Sequence, residues 1–477
     1  MSQENISHGL PGIPFEARRL TLFLTACSVF ALIAWVWPAP EGLSSQGQRA
    51  IALMAAAVIV WVFEVFPLAV AAMLMTVVQP LAGVTTFQTA LGNFANPIVF
   101  FVFGMFCFTL AFTRTGFSER VALWISLIAQ GSPARLLLCF IAGGTVISMF
   151  MADVPVVVML APVALKVIEK NNCVPMQSNF AKALMIGLPL GVLIGGVATP
   201  TGASMNVLTM QFLRDMAGVD ISYLQWCAIG VPVALVLIPV TWLLLLWIFP
   251  SELTTLSGAE SMREEYAKLG PMTRQESRFV LFVLVNVVLW CTDSLHGISL
   301  PILAVLGGAA LFFPGIDLID WKYAFPRMGW DIMMLIGGAC SLSMALWKTG
   351  AAAWIGTTFL GGLLHLPLFV LMLGIALFAV WIHLLVPNST AIVAVFTPTI
   401  IALAKSKGVS PAILTLPLGF MASASLVLVI DAVQLVTYQY GYYSMKDWIK
   451  NGAILSVFWI FVTIFSVMFI GSLLGFY

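Results

Sequence analysis

The chain has 477 residues, of which 61% are hydrophobic and 9% charged, with a formal net charge of +1. Soluble domains carry about 25% charged residues, so this composition excludes a soluble enzyme or binding module and defines an integral membrane protein. The near-neutral balance leaves no electrostatic case for nucleic acid or for an acidic partner. Many apolar runs are long enough to cross a hydrocarbon core of about 30 Å as helices of about 20 residues, and the short alternating strands of a membrane barrel are missing. The fold class is therefore all-α and polytopic, with the lipid bilayer as solvent.

Residues 1–17 are polar and lead into Arg18, Arg19 and an apolar run over 20–37. That run is too long for a signal-peptide core and lacks an A-x-A-like cleavage site, so it is expected to be a first transmembrane helix with its basic end in the cytoplasm. The expected location is a multi-pass position in the cell inner membrane. The seven cysteines (27, 107, 139, 173, 227, 291, 340) form no C-x-x-C pair, and the four histidines (8, 296, 365, 383) show no ligand spacing. The cysteines read as buried small hydrophobes, and neither a resident metal nor a cofactor is implied.

Further along, several apolar segments are too short to span. Those that meet at a polar or proline-containing tip are expected to be re-entrant hairpins, with tips near 152–155 and 387–390. The one substantial polar loop, 250–278, carries Arg263, Lys268, Arg274 and Arg278 and is placed in the cytoplasm by its basic residues. It divides the chain into halves that repeat each other. Gly116 recurs as Gly350, Pro162 as Pro398 and Pro175 as Pro411, at spacings of 234, 236 and 236 (350 − 116, 398 − 162, 411 − 175). Secondary transporters are commonly built from such repeats, with the binding site at the midplane between them.

Two carboxylates, Asp153 and Asp431, sit one in each half within apolar stretches. A carboxylate there faces a protein interior or a water-filled cavity and marks a functional site by default. After the first tip, the run 195–206 holds Gly195, Gly196, Pro200 and Gly202 and is expected to unwind, freeing carbonyls and helix N-termini for ions. A close-packing face of small residues is the alternative. The second run, 422–434, is less obviously broken.

In order along the chain, Trp61-Val-Phe-Glu-Val-Phe-Pro-Leu68, Phe94-Ala-Asn-Pro97, Trp330-Asp-Ile-Met-Met-Leu-Ile-Gly-Gly338 and Gly441-Tyr-Tyr-Ser-Met-Lys-Asp447 resemble motifs of the divalent anion:sodium symporters. These carry dicarboxylates, tricarboxylates or sulfate. The resemblance implies an inverted-repeat ion-transporter fold of about 11 transmembrane helices and two re-entrant hairpins, assembled as a homodimer and moving as an elevator. Residues 1–128 and 250–360 would then form the scaffold, with the cytoplasmic loop, and 129–249 and 361–477 the transport domain.

That family has a Ser-Asn-Thr motif at each hairpin tip, where this chain has Ala152-Asp153-Val154 and Asn388-Ser389-Thr390. In the unwound segments Gly202-Ala-Ser-Met-Asn206 and Asp431-Ala-Val-Gln434 replace G-T-P-P-N and T-P-P-N. The resemblance assigns Asp153, Ala203, Asn388, Ser389, Thr390 and Asp431 to substrate, and Ser148, Asp153, Gly202 and Asn206 to a first coupling cation. A carboxylate at 153 is a harder oxygen ligand than an amide, so this cation site survives. The second cation site is degraded, because Leu384 and Ser389 stand where a hydroxyl and an amide are expected.

Two unit charges about 4 Å apart at an effective dielectric near 20 interact by about 4 kcal/mol, so an ionised Asp431 would repel a dianion. A proton, a cation or a positive group on the substrate must compensate. Proton coupling at Asp431 is the preferred reading, with a carboxylate that caps broken-helix amides as the alternative. Glu64 and Asp331 read as scaffold hydrogen-bonding or capping groups, His383 as a packing histidine that could titrate, and the tryptophans and Tyr438, Tyr440, Tyr442 and Tyr443 mostly as interfacial belts.

The sequence thus reads as a secondary active transporter of small organic anions, dicarboxylates or tricarboxylates, coupled to Na+ or H+ across the inner membrane. It shows no Walker A pattern or nucleophile elbow, so enzyme chemistry is not expected. A cation/proton antiporter using Asp153 and Asp431, and a membrane sensor that does not transport, are the other readings.

Overall fold

The computed structural model describes residues 15–476 other than 64, 130, 258, 385 and 387, so the reading of Glu64 lies outside the described residues. The described residues are helical, with no strand among them. Among the described residues, seven helices are long and apolar enough to cross a membrane, including Asn179–Ala198, Tyr223–Ile248 and Met445–Leu473. Shorter apolar helices include Pro133–Ser148, Leu368–Ile382 and Pro411–Met421. The protein is a multi-span, all-helical membrane protein.

Packing divides the chain into two compact units. One comprises residues up to Asn96 together with Trp330–Ile355. Its helix Trp330–Lys348 lies against Leu68–Leu81 at Gly338, where a Cβ would sit 2.6 Å from the Ala72 carbonyl oxygen. The contact is fixed by a buried hydrogen bond of 2.9 Å from Gln79 Nε2 to Ser341 Oγ, and Ser341 in turn donates to the Ala90 carbonyl at 2.8 Å. Asp331 lies in the first turn of its helix, where a negative charge complements the unpaired amides.

The other unit, Pro97–Gly329 with Gly356–Tyr477, holds both hairpins and both breaks. A first hairpin, Pro133–Ser148 and Asp153–Lys170, leads to Asn179–Ala198, a break over 199–203 and the helix Ser204–Phe212. A second hairpin, Leu368–Ile382 and Ser389–Lys407, leads in the same order to Pro411–Met421, a break over 422–431 and Ala432–Tyr438. The second helices of the hairpins open at Asp153 and Ser389, 236 positions apart (389 − 153), which is the spacing of the sequence landmarks. Each contains an internal proline, Pro162 and Pro398, tolerated where neighbouring groups satisfy the freed backbone.

The second run, which the sequence leaves less obviously broken, is open over 422–431. Gln434 donates from Nε2 to the Ser425 carbonyl and accepts from the Ile430 amide at 3.2 Å. One side chain thereby takes over bonds that a continuous helix would have made. In the first half the glycines serve two purposes. At Gly191 and Gly195 a Cβ would lie 2.4 and 2.1 Å from the carbonyl oxygens of Ile141 and Thr145, so these two let the hairpin helix come into backbone contact, as in small-residue packing. Gly202, beyond the break, belongs to the polar centre.

Some expectations need correction. Only Cys107 and Cys340 are buried, and Cys27 is exposed; a thiol is small and apolar enough to face lipid as well as core. Trp226, Trp290, Trp448 and Trp459 are fully buried, as is Tyr443, so these are core residues and not belt residues. Trp226 stacks on Phe420 at 4.6 Å and donates to the Val197 carbonyl at 3.0 Å, which ties the first repeat to the second.

The 250–278 loop contains a helix, Ala259–Lys268, and is clamped by Arg120. The Arg120 side chain is 8% exposed and pairs with Glu276 at 2.8 and 3.1 Å, while it also donates to the Gly270 carbonyl at 2.9 Å. Removing one member of a buried pair leaves an uncompensated charge and costs about 3–5 kcal/mol. Arg120→Ala is therefore expected to lower the unfolding temperature of the purified protein far more than the double variant Arg120→Met/Glu276→Leu. Equal losses in the two would contradict the clamp.

A second clamp holds the start of Asn179–Ala198. The Ser178 hydroxyl donates to Glu252, whose other oxygen accepts the Phe180 amide at 3.1 Å. Partial burial opposes ionisation of Glu252, but the hydrogen bonds from Ser178 and the nearby amides outweigh it and hold the carboxyl below its ordinary value of 4.5. A carboxyl lowered in the folded state stabilises fully above its ordinary value and loses that contribution as pH falls through the folded-state value. Ser178→Ala is expected to flatten this acid-side loss, read from unfolding temperatures between about pH 3.5 and 6.

Candidate functional site

Four helices begin at one place in the repeat-bearing unit. They open at Asp153, Ser204, Ser389 and Ala432, two from hairpin tips and two from breaks. The helix after each break packs on the hairpin of the opposite repeat: Ser204–Phe212 on Ser389–Lys407, and Ala432–Tyr438 on Asp153–Lys170. The Ser204 and Thr390 hydroxyls meet at 3.0 Å, joining the two repeats at the centre. Helix N-termini carry unpaired amides and partial positive charge, so their convergence favours an anion.

The first hairpin tip is fixed to the first break by threonines. Thr199 and Thr201 both donate to the Met149 carbonyl, Thr201 at 2.9 Å, and Thr201 also contacts the Tyr223 hydroxyl at 3.0 Å. This polar pin was only half legible: the threonines stand out in sequence, whereas Met149 acts through its backbone and Tyr223 stands 22 positions away.

Beneath the pin lies an oxygen-rich nest. A Cβ on Gly202 would be 2.6 Å from the Gly196 carbonyl oxygen, 2.9 Å from that of Ser148 and 3.0 Å from that of Gly195. Both Asp153 carboxylate oxygens lie against Gly196, at 2.8 and 2.9 Å from the position of its Cβ, and the Ser148 hydroxyl donates to Asp153. Asn206 anchors the floor, donating from Nδ2 to the Gly196 and Thr199 carbonyls at 2.6 and 2.8 Å. Its Oδ1 is buried with no hydrogen-bond partner among the described residues. Carboxylate, amide and carbonyl oxygens are the ligand set of a hard cation.

On the second side, Asn388 caps Ser389–Lys407 by accepting the Ala391 amide at 2.9 Å, which leaves its Nδ2 outside the cap. Asp431 caps Ala432–Tyr438 by accepting the Val433 amide at 3.2 Å, and the Ser389 hydroxyl faces its carboxylate. The capping alternative for Asp431 is therefore present in the geometry, alongside a position at the centre. Asp431 is close enough to both Asp153 and His383 to interact with them electrostatically.

The residues expected to matter thus come together, and they separate by depth. Ser148, Gly202 and Asn206, expected at the cation, are buried, while Asp153, Ala203, Asn388, Ser389 and Asp431 are half-buried around them. Thr390 is buried at its contact with Ser204. Leu384, where a second cation would need an oxygen, is 40% exposed and apolar.

A polytopic helical chain whose repeats close on one polar centre has the architecture of a membrane transporter. It matches the model of the sodium:sulfate symporter transmembrane region over residues 18–477 and belongs to that family, the divalent anion:sodium symporters. A Cupriavidus necator membrane protein is 29% identical over 446 residues, covering 88% of this chain and 86% of its own length. The sodium-dependent dicarboxylate transporter SdcS of Staphylococcus aureus is 25% identical over 442 residues, covering 87% and 84%. In structure the chain is similar to the YdaH transporter of Alcanivorax borkumensis, with a TM-score of 0.57 and 15% identity over 97% of this chain and 99% of that one. That likeness supports the fold alone.

Proposed function

We propose that the protein is a secondary active transporter of small dicarboxylates or tricarboxylates in the cell inner membrane, driven by cation entry. A coupling Na+ would be held by Ser148, Asp153, Gly202 and Asn206, and a proton would be carried on the Asp431 side. Substrate carboxylates would sit among the helix starts at Ala203, Asn388, Ser389 and Thr390, between Asp153 and Asp431. The observation that carries this reading is the buried Asn206, whose Oδ1 has no partner among the described residues while its Nδ2 donates to the Gly196 carbonyl, one of three carbonyls that converge on Gly202. A buried polar atom without a partner costs about 1–3 kcal/mol, and a bound cation would recover it. The half-buried anion site above it would then bind substrate more tightly once the cation is present.

A scaffold and a moving transport domain, alternating as an elevator within a homodimer, complete the proposal. Support comes from the family and from the repeat order. A ligand that binds only the native state raises its stability by an amount set by ligand concentration over Kd. A thermal-unfolding screen of dicarboxylates, tricarboxylates and sulfate, with and without Na+ at two pH values, is expected to show carboxylate stabilisation that needs Na+. Stabilisation by sulfate alone, or by no anion, would contradict the assignment.

A further inference from the structure

His383 follows the helix Leu368–Ile382 and is 1% exposed. Its Nδ1 lies 2.7 Å from the Ala379 carbonyl oxygen and its Nε2 3.0 Å from that of Ala422. Both partners are pure acceptors. A neutral imidazole carries one N–H and one lone pair, so in either tautomer one ring nitrogen would turn a lone pair toward a carbonyl oxygen at hydrogen-bond distance. Only the imidazolium, with two N–H groups, can donate to both.

The surroundings favour that charge. Ala379 belongs to the last turn of Leu368–Ile382 and Ala422 is the C-terminal cap of Pro411–Met421, and helix C-terminal ends attract cations. Asp431, at the second break, is near enough to the ring to interact with it electrostatically. Neither Leu368–Ile382 nor Pro411–Met421 contains a charged residue, and the charges of Met445–Leu473, which also packs here, are Lys446, Asp447 and Lys450 in its first turns. Asp447 is already engaged by Lys182 at 3.4 Å and by Ser444. Burial by itself favours a neutral ring, and two carbonyls, two helix ends and one carboxylate act against it.

We propose that His383 is held as an imidazolium and is the built-in counter-charge of Asp431, so that the proton on this side of the site resides on the histidine and substitutes for a second coupling cation. The inference rests on the reading of Asp431 as lining the substrate site, and it moves the coupling proton from the carboxylate to its neighbour. The only chemical step is uptake of one proton from water by the neutral ring. With Asp431 ionised and His383 charged, the pair is neutral overall. The repulsion that an isolated carboxylate would exert on an anionic substrate is thereby removed.

Nitrogen NMR of full-length protein in nanodiscs, labelled in histidine rings, tests this. Replacing His8, His296 and His365 by glutamine leaves His383 as the single signal. Two proton-bearing ring nitrogens are expected at about pH 7.5, and the Asp431→Asn variant is expected to lose one of these protons at a lower pH than the parent. A bare ring nitrogen at pH 7 would overturn the proposal, as would a titration that Asp431→Asn leaves unmoved. The signal does not depend on transport. A charged His383 in a protein that moves no anion would contradict the proposed function alone, and a neutral His383 in an active transporter would contradict this inference alone.

Discussion

Replacing Asp153 with alanine is expected to abolish stabilisation of the purified protein by Na+, a loss of at least ~100-fold in affinity, or about 2.7 kcal/mol. Asp153 lies against Gly196 and supplies the one formal negative charge among the residues of the proposed cation site, where the other oxygens are carbonyls of Gly195, Gly196 and Ser148 and the amide of Asn206. A cation in a partly desolvated nest depends most on that charge, because Coulomb interactions strengthen as the local dielectric falls. Asp153→Asn keeps an oxygen ligand and a partner for the Ser148 hydroxyl, and roughly tenfold weakening is expected, about 1.4 kcal/mol. The graded pair of variants separates a ligand from a structural anchor. If both lose Na+ stabilisation equally, while unfolding at the parent temperature without Na+, the carboxylate is not a ligand in the sense proposed.

The second large effect is on pH dependence. Uptake by the parent protein is expected to fall as pH rises through the titration of the Asp431–His383 pair. Loss of its proton leaves an uncompensated carboxylate beside the incoming anion, a repulsion of about 4 kcal/mol at 4 Å and an effective dielectric near 20. Asp431→Asn removes that charge. It also preserves an acceptor for the Val433 amide, since asparagine caps helices as well as aspartate does. Uptake by this variant is expected to persist at alkaline pH, up to roughly 1,000-fold above the parent where the parent has lost its proton. A pH profile that Asp431→Asn leaves unchanged would remove Asp431 from the coupling scheme.

The repeat was the most legible feature of this chain. Prolines and a Thr-Gly pair fall at near-constant spacing, and the helices that open at Asp153 and Ser389 keep that spacing in the structure. Proline and glycine act locally on the backbone, so their effect survives in the linear sequence. The second break was less legible than the first, because Gln434 stabilises it by bonding back to Ser425 and Ile430, and nothing local in glutamine announces such a bond. The Arg120–Glu276 clamp joins residues 156 positions apart, beyond what periodicity can reveal. His383 read as a packing histidine, and it is packed. What the sequence lacked was the pair of carbonyl oxygens on its two nitrogens, one of them supplied by a helix end 39 positions away.

The four helix starts would let two carboxylates line the proposed anion site. Asp153 and Asp431 each stand at a helix N-terminus, where the amides offset part of their charge. A cation in the nest and a proton on the second side would offset the rest, which links anion binding to cation entry without a second sodium ion.

Uptake into proteoliposomes under an imposed inward Na+ gradient tests the central claim most directly. The dicarboxylate or tricarboxylate that best stabilises the protein is the substrate to use. Accumulation above equilibrium that collapses when the gradient is dissipated, and that is absent in the Asp153→Ala variant, is the predicted result. Uptake indifferent to Na+, or Na+ movement that proceeds equally without any anion, would contradict it.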